Sequence, residues 1–291
     1  MKLAVLLSVL TLGGCLPPKT LESISTAKPS TQQPSRIVSL DFCSDQYLLK
    51  LTDKDRILAL SPDAVKDFSY MRETAKGLPS VRPSAEDVLA LQPDLIIRSY
   101  GGGPNTQTFF ERAGVPVITI GWAGDIDGIM RVMEQTSEAL GEAERGQAVI
   151  SDMKTRLTTI ETASKTQTGP QNSALYMTPT GVTSGEGSLI HEMMIAAGLT
   201  NFQTQPGWQP LPLERLAYDK PDLIAAAFFN SEVNDTDAWS SANHPVARAQ
   251  MKNLPIISLQ GAWTSCGGWF LIDAIEALAG TSRSGVKGSG L

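Results

Sequence analysis

The sequence predicts an α/β protein of two similar lobes joined by a helical spine. Three observations carry this. Short apolar strand signals alternate with helical stretches from residue 36 onward, the rhythm that builds a parallel sheet covered by helices. One stretch of the first half, Glu86 to Ile96, recurs in the second as Glu214 to Ile224. Between the halves, from about Asp125 to Ala163, helical composition runs without a strand signal.

The elements follow in order. Arg36-Ile37-Val38-Ser39-Leu40 is a compact apolar strand, and Asp45 to Leu51 reads as a helix. Further strands are expected at Arg56 to Leu60, Asp94 to Ile97 and Val115 to Ile120, with a helix from Thr106 to Ala113 ended by Gly114. In the spine, Ile126, Ile129, Met130, Met133 and Leu140 recur near helical spacing. Gly141 interrupts it, and Val149, Ile150, Met153, Leu157 and Ile160 resume the pattern. Thr166 to Asn172 is a polar connector. Ala174 to Met177 is then a strand and Leu189 to Ala197 a helix closed by Gly198.

In both copies of the repeat a Glu heads a helix, Pro-Asp makes the turn, and Leu-Ile enters a buried strand. Leu254-Pro255-Ile256-Ile257 echoes Val115-Pro116-Val117-Ile118. Repetition in the same order implies equivalent lobes. The expected division is an N-terminal lobe over 36–125, a linking spine over 126–165 and a C-terminal lobe over 166–291.

The chain has 291 residues, 42% of them hydrophobic and 19% charged, an ordinary globular composition with length for two cores. A net charge of -6 without a Lys/Arg cluster argues against nucleic acid as a partner. Ahead of the first strand, Met1-Lys2 is a basic start and Leu3 to Leu12 an apolar run too short to span a bilayer. Leu12-Gly13-Gly14-Cys15 closes it and resembles the lipobox of bacterial lipoproteins. That resemblance implies a signal peptide over 1–14, export, and acylation of Cys15, which anchors the protein to a membrane. Residues 15–35, rich in Pro, Ser, Thr and Gln, read as a flexible tether.

Arg36 to Leu40, Glu86 to Ile97, Gly114-Val115-Pro116-Val117, Thr183-Ser184-Gly185 and Leu213 to Ile224 together resemble the cobalamin and ferric-siderophore class of periplasmic solute-binding proteins of ABC importers. The resemblance covers about residue 36 to 280. It implies two Rossmann-like lobes joined by one long interdomain helix, with the ligand in the cleft between them. It implies a small-molecule metal chelate as cargo, so that any cobalt or iron belongs to the ligand and the protein has no cofactor of its own. Haem on the same fold is the alternative cargo. It also implies a monomer on the periplasmic or cell-surface face of the cytoplasmic membrane, and permease subunits as partners. One exposed glutamate of each lobe then meets permease arginines. Glu86 and Glu214, which head the repeat, occupy those positions, and a carboxylate at a helix start is favoured by the macrodipole.

In open α/β sheets ligands gather at the carboxyl ends of strands, so the loops after strands hold the candidate cleft residues. In the first lobe these are Asp41, Cys43, Asp45, Tyr70, Arg98, Tyr100 and Trp122. In the second they are Trp208, Phe229, Trp263 and Cys266. Aromatic walls suit a large planar ligand, and Arg98 suits a carboxylate or phosphate. Gly101-Gly102-Gly103 lacks the Lys-Ser/Thr of a phosphate-binding loop and reads as a cleft rim or a close backbone approach. For Cys43 and Cys266 three readings stand: an interlobe disulfide, free thiols touching the ligand, or separately buried cysteines.

Zinc and manganese binders of related fold cluster His and carboxylates. His191 and His244 are the only histidines and are not ligand-spaced, so no metal site is expected. A cysteine or serine hydrolase built on Cys43 or Ser184 is the reading from another class. Gly-X-Ser-X-Gly is absent and no base can be placed, so an enzyme is not expected.

Overall fold

The computed structural model describes residues 33–165, 171–229 and 239–280. The expected signal segment, Cys15 and most of the tether lie outside the described residues. In chain order the first lobe contains β1 (Ile37–Ser39), α1 (Phe42–Leu51), β2 (Ile57–Ala59), α2 (Arg72–Ala75), α3 (Ala85–Ala90), β3 (Leu95–Arg98), α4 (Thr106–Arg112) and β4 (Val117–Thr119). Two helices follow, α5 (Ile126–Ala139) and α6 (Ala143–Lys165). The second lobe contains β5 (Ser173–Met177), β6 (Val182–Ser184), α7 (Leu189–Ala196), β7 (Thr200–Asn201), β8 (Trp208–Pro210) and α8 (Leu213–Tyr218). It ends with β9 (Leu223–Ala227), α9 (Pro245–Asn253), β10 (Ile256–Leu259), α10 (Gly261–Thr264) and α11 (Leu271–Leu278).

Both main sheets are parallel and share one topology. The first runs β2-β1-β3-β4, and the second, read from its β7 edge, runs β7-β5-β9-β10. Strands buried on both faces need continuous apolar runs, and Leu95–Arg98 and Leu223–Ala227 are buried at every position. The repeat makes matching hydrogen bonds. Asp94 accepts from the Arg36 amide at 2.9 Å, and Asp222 from the Ser173 amide at 2.7 Å, each at the head of the lobe's first strand. Ile96 donates to Pro116 and Ile224 to Pro255, so the two Pro-containing echoes also occupy equivalent positions.

Gly141 ends α5 at a φ of 74°, a left-handed conformation that only glycine adopts cheaply. The spine is therefore two helices, with α6 at 23 residues the long one. The structure differs from expectation at α1. This helix begins at Phe42, not Asp45, because Asp41 caps it reciprocally with Ser44. Around Trp208, expected as a loop, β8 pairs with β6 as an antiparallel two-stranded sheet.

One apolar cluster runs through both lobes and the spine, joining Ile37, Leu48, Ile97 and Ile129 to Met153, Tyr176, Met193 and Ile275. Truncating a fully buried member such as Leu48 costs roughly 2–5 kcal/mol. Smaller clusters close the other sheet faces.

Candidate ligand cleft

The first turn of α1 organises the first lobe's loops. Asp41 is 3% exposed, and its carboxylate is consumed by the protein. It accepts from the amides of Ser99, Tyr100 and Gly101 at 2.7, 3.1 and 2.9 Å, from the Ser99 hydroxyl, and from the Ser44 amide of its own helix. Three successive amides converging on one anion form a nest, here filled by a side chain of the same chain. A Cβ at Gly101 would lie 2.5 Å from the Leu40 carbonyl oxygen, so the glycine loop is a close backbone approach.

Asp45, fully buried, accepts from the Ser61 amide and hydroxyl at 3.1 and 2.6 Å. Burial pushes its pKa up to about 7; hydrogen bonds from Ser61 oppose that rise and the charge of Asp41 adds to it. Gln46 completes the turn, donating to Ser69 Oγ and accepting from the Met71 amide, both at 2.6 Å.

Phe42 connects these loops to an aromatic row. Its ring meets Phe68 edge-on at 4.8 Å and Tyr100 at 6.2 Å. Phe68 then lines a cavity of about 180 Å³ at the junction of the lobes. Asp67 and Arg72 lie on its first-lobe side, and Phe228, Gln260 and Gly261 on the other. That volume is below the roughly 300–1,000 Å³ of whole ligand pockets. Phe228 sits at a φ of 67°, a strained conformation for a bulky residue, and its ring lies where a Cβ at Gly261 would be.

The segments facing each other across the junction are tied together. Cys43 and Cys266 form a disulfide with Cα atoms 5.7 Å apart. Ser265 Oγ donates to the Phe68 carbonyl at 2.8 Å, and the Tyr47 hydroxyl to the Gly267 carbonyl at 3.1 Å. The Tyr70 hydroxyl donates to Asp273 at 2.7 Å while its ring stacks on Phe270. From α6, Arg156 pairs with Asp273 and Glu276 of α11 at 2.6 and 2.7 Å.

These placements correct the candidate list. Asp41 and Asp45 are buried structural acceptors, not cleft-wall carboxylates, because they cap α1 and bind loop amides. Cys43 and Cys266 are bonded to each other and so are not free thiols. Tyr70 spends its hydroxyl on Asp273, and Trp263 is 7% exposed in the shared core. Phe229 is half-buried against the second lobe's smaller cluster. Arg98 is 8% exposed, and among the described residues its Nε has no hydrogen-bond partner. Desolvation pulls its pKa down, opposed by the charge of Asp41.

Three candidates remain open to solvent: Tyr100 at 56%, Trp122 at 83% and Trp208 at 55%. Tyr100 and Trp122 follow strands of the first sheet, whereas Trp208 begins β8 and meets Tyr176 edge-on at 6.3 Å. The Tyr100 phenol is pushed up to about 12, by desolvation first and then by the negative charge of Asp41, so it is a neutral hydrogen-bonding group at neutral pH. The list had missed Arg72 and Gln260, which line the cavity. Gln260 follows β10 directly and was accessible to the strand-end rule; Arg72 opens a short helix and carries no such signal.

Glu86 and Glu214 are both exposed, and each is the second residue of a six-residue helix, α3 and α8. Among the described residues neither has an ion-pair partner. His244 caps α9 by accepting from the Val246 amide, and His191 Nδ1 lies 3.3 Å from Asn201 Nδ2. No group of three or more His, Cys, Asp or Glu able to hold a metal occurs among the described residues. No helix among them is long and apolar enough to cross a membrane.

The periplasmic binding protein family model matches residues 37–242. The uncharacterized ABC transporter substrate-binding lipoprotein YvrC of Bacillus subtilis is 22% identical over 275 residues, covering 90% of this chain and 84% of that protein. A cobalamin-binding protein of Halobacterium salinarum is 23% identical over 233 residues, 78% of this chain; the match spans 63% of that protein's length. Among solved structures, a periplasmic heme-binding protein from Pseudomonas aeruginosa has the same fold, with a TM-score of 0.64 at 24% identity, covering 87% of this chain and 94% of that one.

Proposed function

This chain belongs to the periplasmic binding protein family, and from that premise we propose that it captures a metal chelate between its lobes and delivers it to an ABC importer. The observation that carries this reading is the junction cavity, lined from both lobes by Phe68, Arg72, Phe228 and Gln260, with Phe42 linking Phe68 to the exposed ring of Tyr100. Exposed rings are costly in water and offer broad contact to a flat ligand at low entropic cost. Cobalamin or another corrinoid, or a ferric siderophore, is the cargo class, and the metal arrives and leaves with it. Haem is the alternative cargo, favoured by the similarity to the heme-binding protein.

The hydrolase reading has no support in the site, since Ser184 is fully buried and Cys43 is bonded. The lobes divide as 36–125 and 166–291 about the 126–165 spine. Glu86 and Glu214 dock the two lobes onto permease arginines. Cys15 carries the lipid that holds the monomer at the outer face of the cytoplasmic membrane, in keeping with the lipoprotein name of one relative. The test is titration of the purified protein with cyanocobalamin, haemin and a ferric hydroxamate siderophore, followed by tryptophan emission. Saturable quenching by one of them supports the reading; no saturable binding to any of the three defeats it.

A further inference from the structure

The first turn of α1 holds both cleft loops of its own lobe and one point of the other. Asp41 fixes residues 99–101, and Gln46 fixes Ser69 and Met71. Between them, Cys43 is bonded to Cys266, which stands just after α10 in the second lobe. The noncovalent ties of the junction join the same two segments: Phe68 to Ser265, Tyr47 to Gly267, and Tyr70 to Asp273. Trp269 meets the rings of both Tyr47 and Tyr70 at its edge. The junction cavity opens beside these contacts, with Phe68 and Arg72 on one wall and Phe228 and Gln260 on the other.

We propose that the Cys43–Cys266 disulfide sets the separation of the two cleft walls, so that the oxidised protein presents a preset cleft. The bond is the single covalent tie between segments 223 residues apart in sequence. Without it, the walls face each other through a few hydrogen bonds, each worth about 1 kcal/mol net, through ring contacts and through the edge of the shared apolar cluster. Such a set opens locally far more often than the sheets do. An oxidising compartment keeps the bond closed. Cys43 is partly exposed and Cys266 is 8% exposed, so a reductant reaches the bond from the Cys43 side.

The consequence for cargo rests on the cleft reading above, whereas the wall-setting role is tested without ligand. Hydrogen exchange of the full ligand-free chain is followed by mass spectrometry before and after reduction with a water-soluble phosphine. The phosphine and one water convert the disulfide to two thiols and leave the phosphine oxide; alkylation counts the thiols. On reduction, exchange in 67–71 and 264–268 should rise about tenfold or more, while amides of β1, β3, β5 and β9 keep their rates. Unchanged exchange at the junction overturns the proposal. A uniform rise across both sheets also overturns it, because the bond then only stabilises the fold. The double variant Cys43→Ser/Cys266→Ser should reproduce the reduced pattern; if it fails to fold, the reduced native chain decides. Failure of the chelate panel leaves this outcome readable, because no ligand is present.

Discussion

Asp41 Oδ2 lies 2.9 Å from the Gly101 amide, at the point where a Cβ on residue 101 would collide with the Leu40 carbonyl. The glycine loop after β3 is therefore wrapped around a carboxylate of its own chain. Asp41→Ala strands amides in a nearly dry site, each unsatisfied group costing about 1–3 kcal/mol. A loss of roughly 3 kcal/mol or more is expected from urea unfolding. Asp41→Asn turns an NH2 toward amide donors and should fall between the two. Wild-type stability in Asp41→Ala would remove the nest from the account.

Asp45 predicts the sign of an acid–base effect. Its folded pKa is raised from 3.8 to about 7, chiefly by burial. Between those values the folded state holds a proton that the unfolded state has lost. Stability from this group is therefore fully present below about pH 4, falls as pH rises, and is flat above about pH 7. The full fall is up to about 4 kcal/mol. Asp45→Asn should flatten this part of the unfolding free-energy profile. An unchanged slope in that variant would assign the fall to other groups.

The fold was legible where local chemistry and burial agree. Asp94 and Asp222 each follow a proline and precede a fully apolar run, so turn and strand are both written locally, and the repetition exposes the lobe symmetry. The site was less legible, because its residues act at a distance. Asp41 reads as a loop carboxylate until its partners, Ser99 to Gly101, are brought beside it. Trp122 and Trp263 both follow strands, yet one is 83% and the other 7% exposed. What covers each ring is decided by the element packed across it, which neither neighbouring sequence contains. The β6–β8 pair carries little sequence signal because its strands are three residues each and meet across an intervening helix and strand.

Arg156 joins the spine to α11 through two carboxylates, and its side chain is 13% exposed against 8% for Glu276. Arg156→Ala leaves Glu276 a largely buried charge without this partner. Breaking a buried pair from one side costs about 3–5 kcal/mol, so a fall of roughly 3 kcal/mol in unfolding free energy is expected at this partly hydrated site. Arg156→Ala combined with Glu276→Gln should recover part of it. Additive losses would show that the two groups are not coupled.

Glu86 and Glu214 occupy the same helical position in opposite lobes, and both are exposed. If they dock the permease, Glu86→Lys and Glu214→Lys place a cation against arginine and should lower chelate-stimulated ATPase activity of the reconstituted importer about tenfold each. Chelate affinity and unfolding midpoint should not change, because exposed charges contribute little to the fold. Normal stimulation with both substitutions present would defeat the docking role.

The exposed aromatics give the sharpest test of where cargo sits. Ring removal from a ligand wall costs the buried apolar area and any stacking, together about 1–2 kcal/mol, or roughly tenfold in affinity. Trp122→Ala and Trp208→Ala should each weaken binding of whichever chelate quenches emission by about that factor. Tyr100→Phe keeps the ring and removes a neutral hydroxyl, so it should weaken binding only for a cargo that accepts its hydrogen bond. Both tryptophans are solvent-exposed, so stability should stay within about 0.5 kcal/mol, which separates a binding loss from misfolding. The core ring Trp263 is the control, because Trp263→Ala opens a cavity and should lower stability by roughly 3–5 kcal/mol. Unchanged affinity in both Trp122→Ala and Trp208→Ala would move the cargo away from these rings and toward the Phe68–Phe228 cavity.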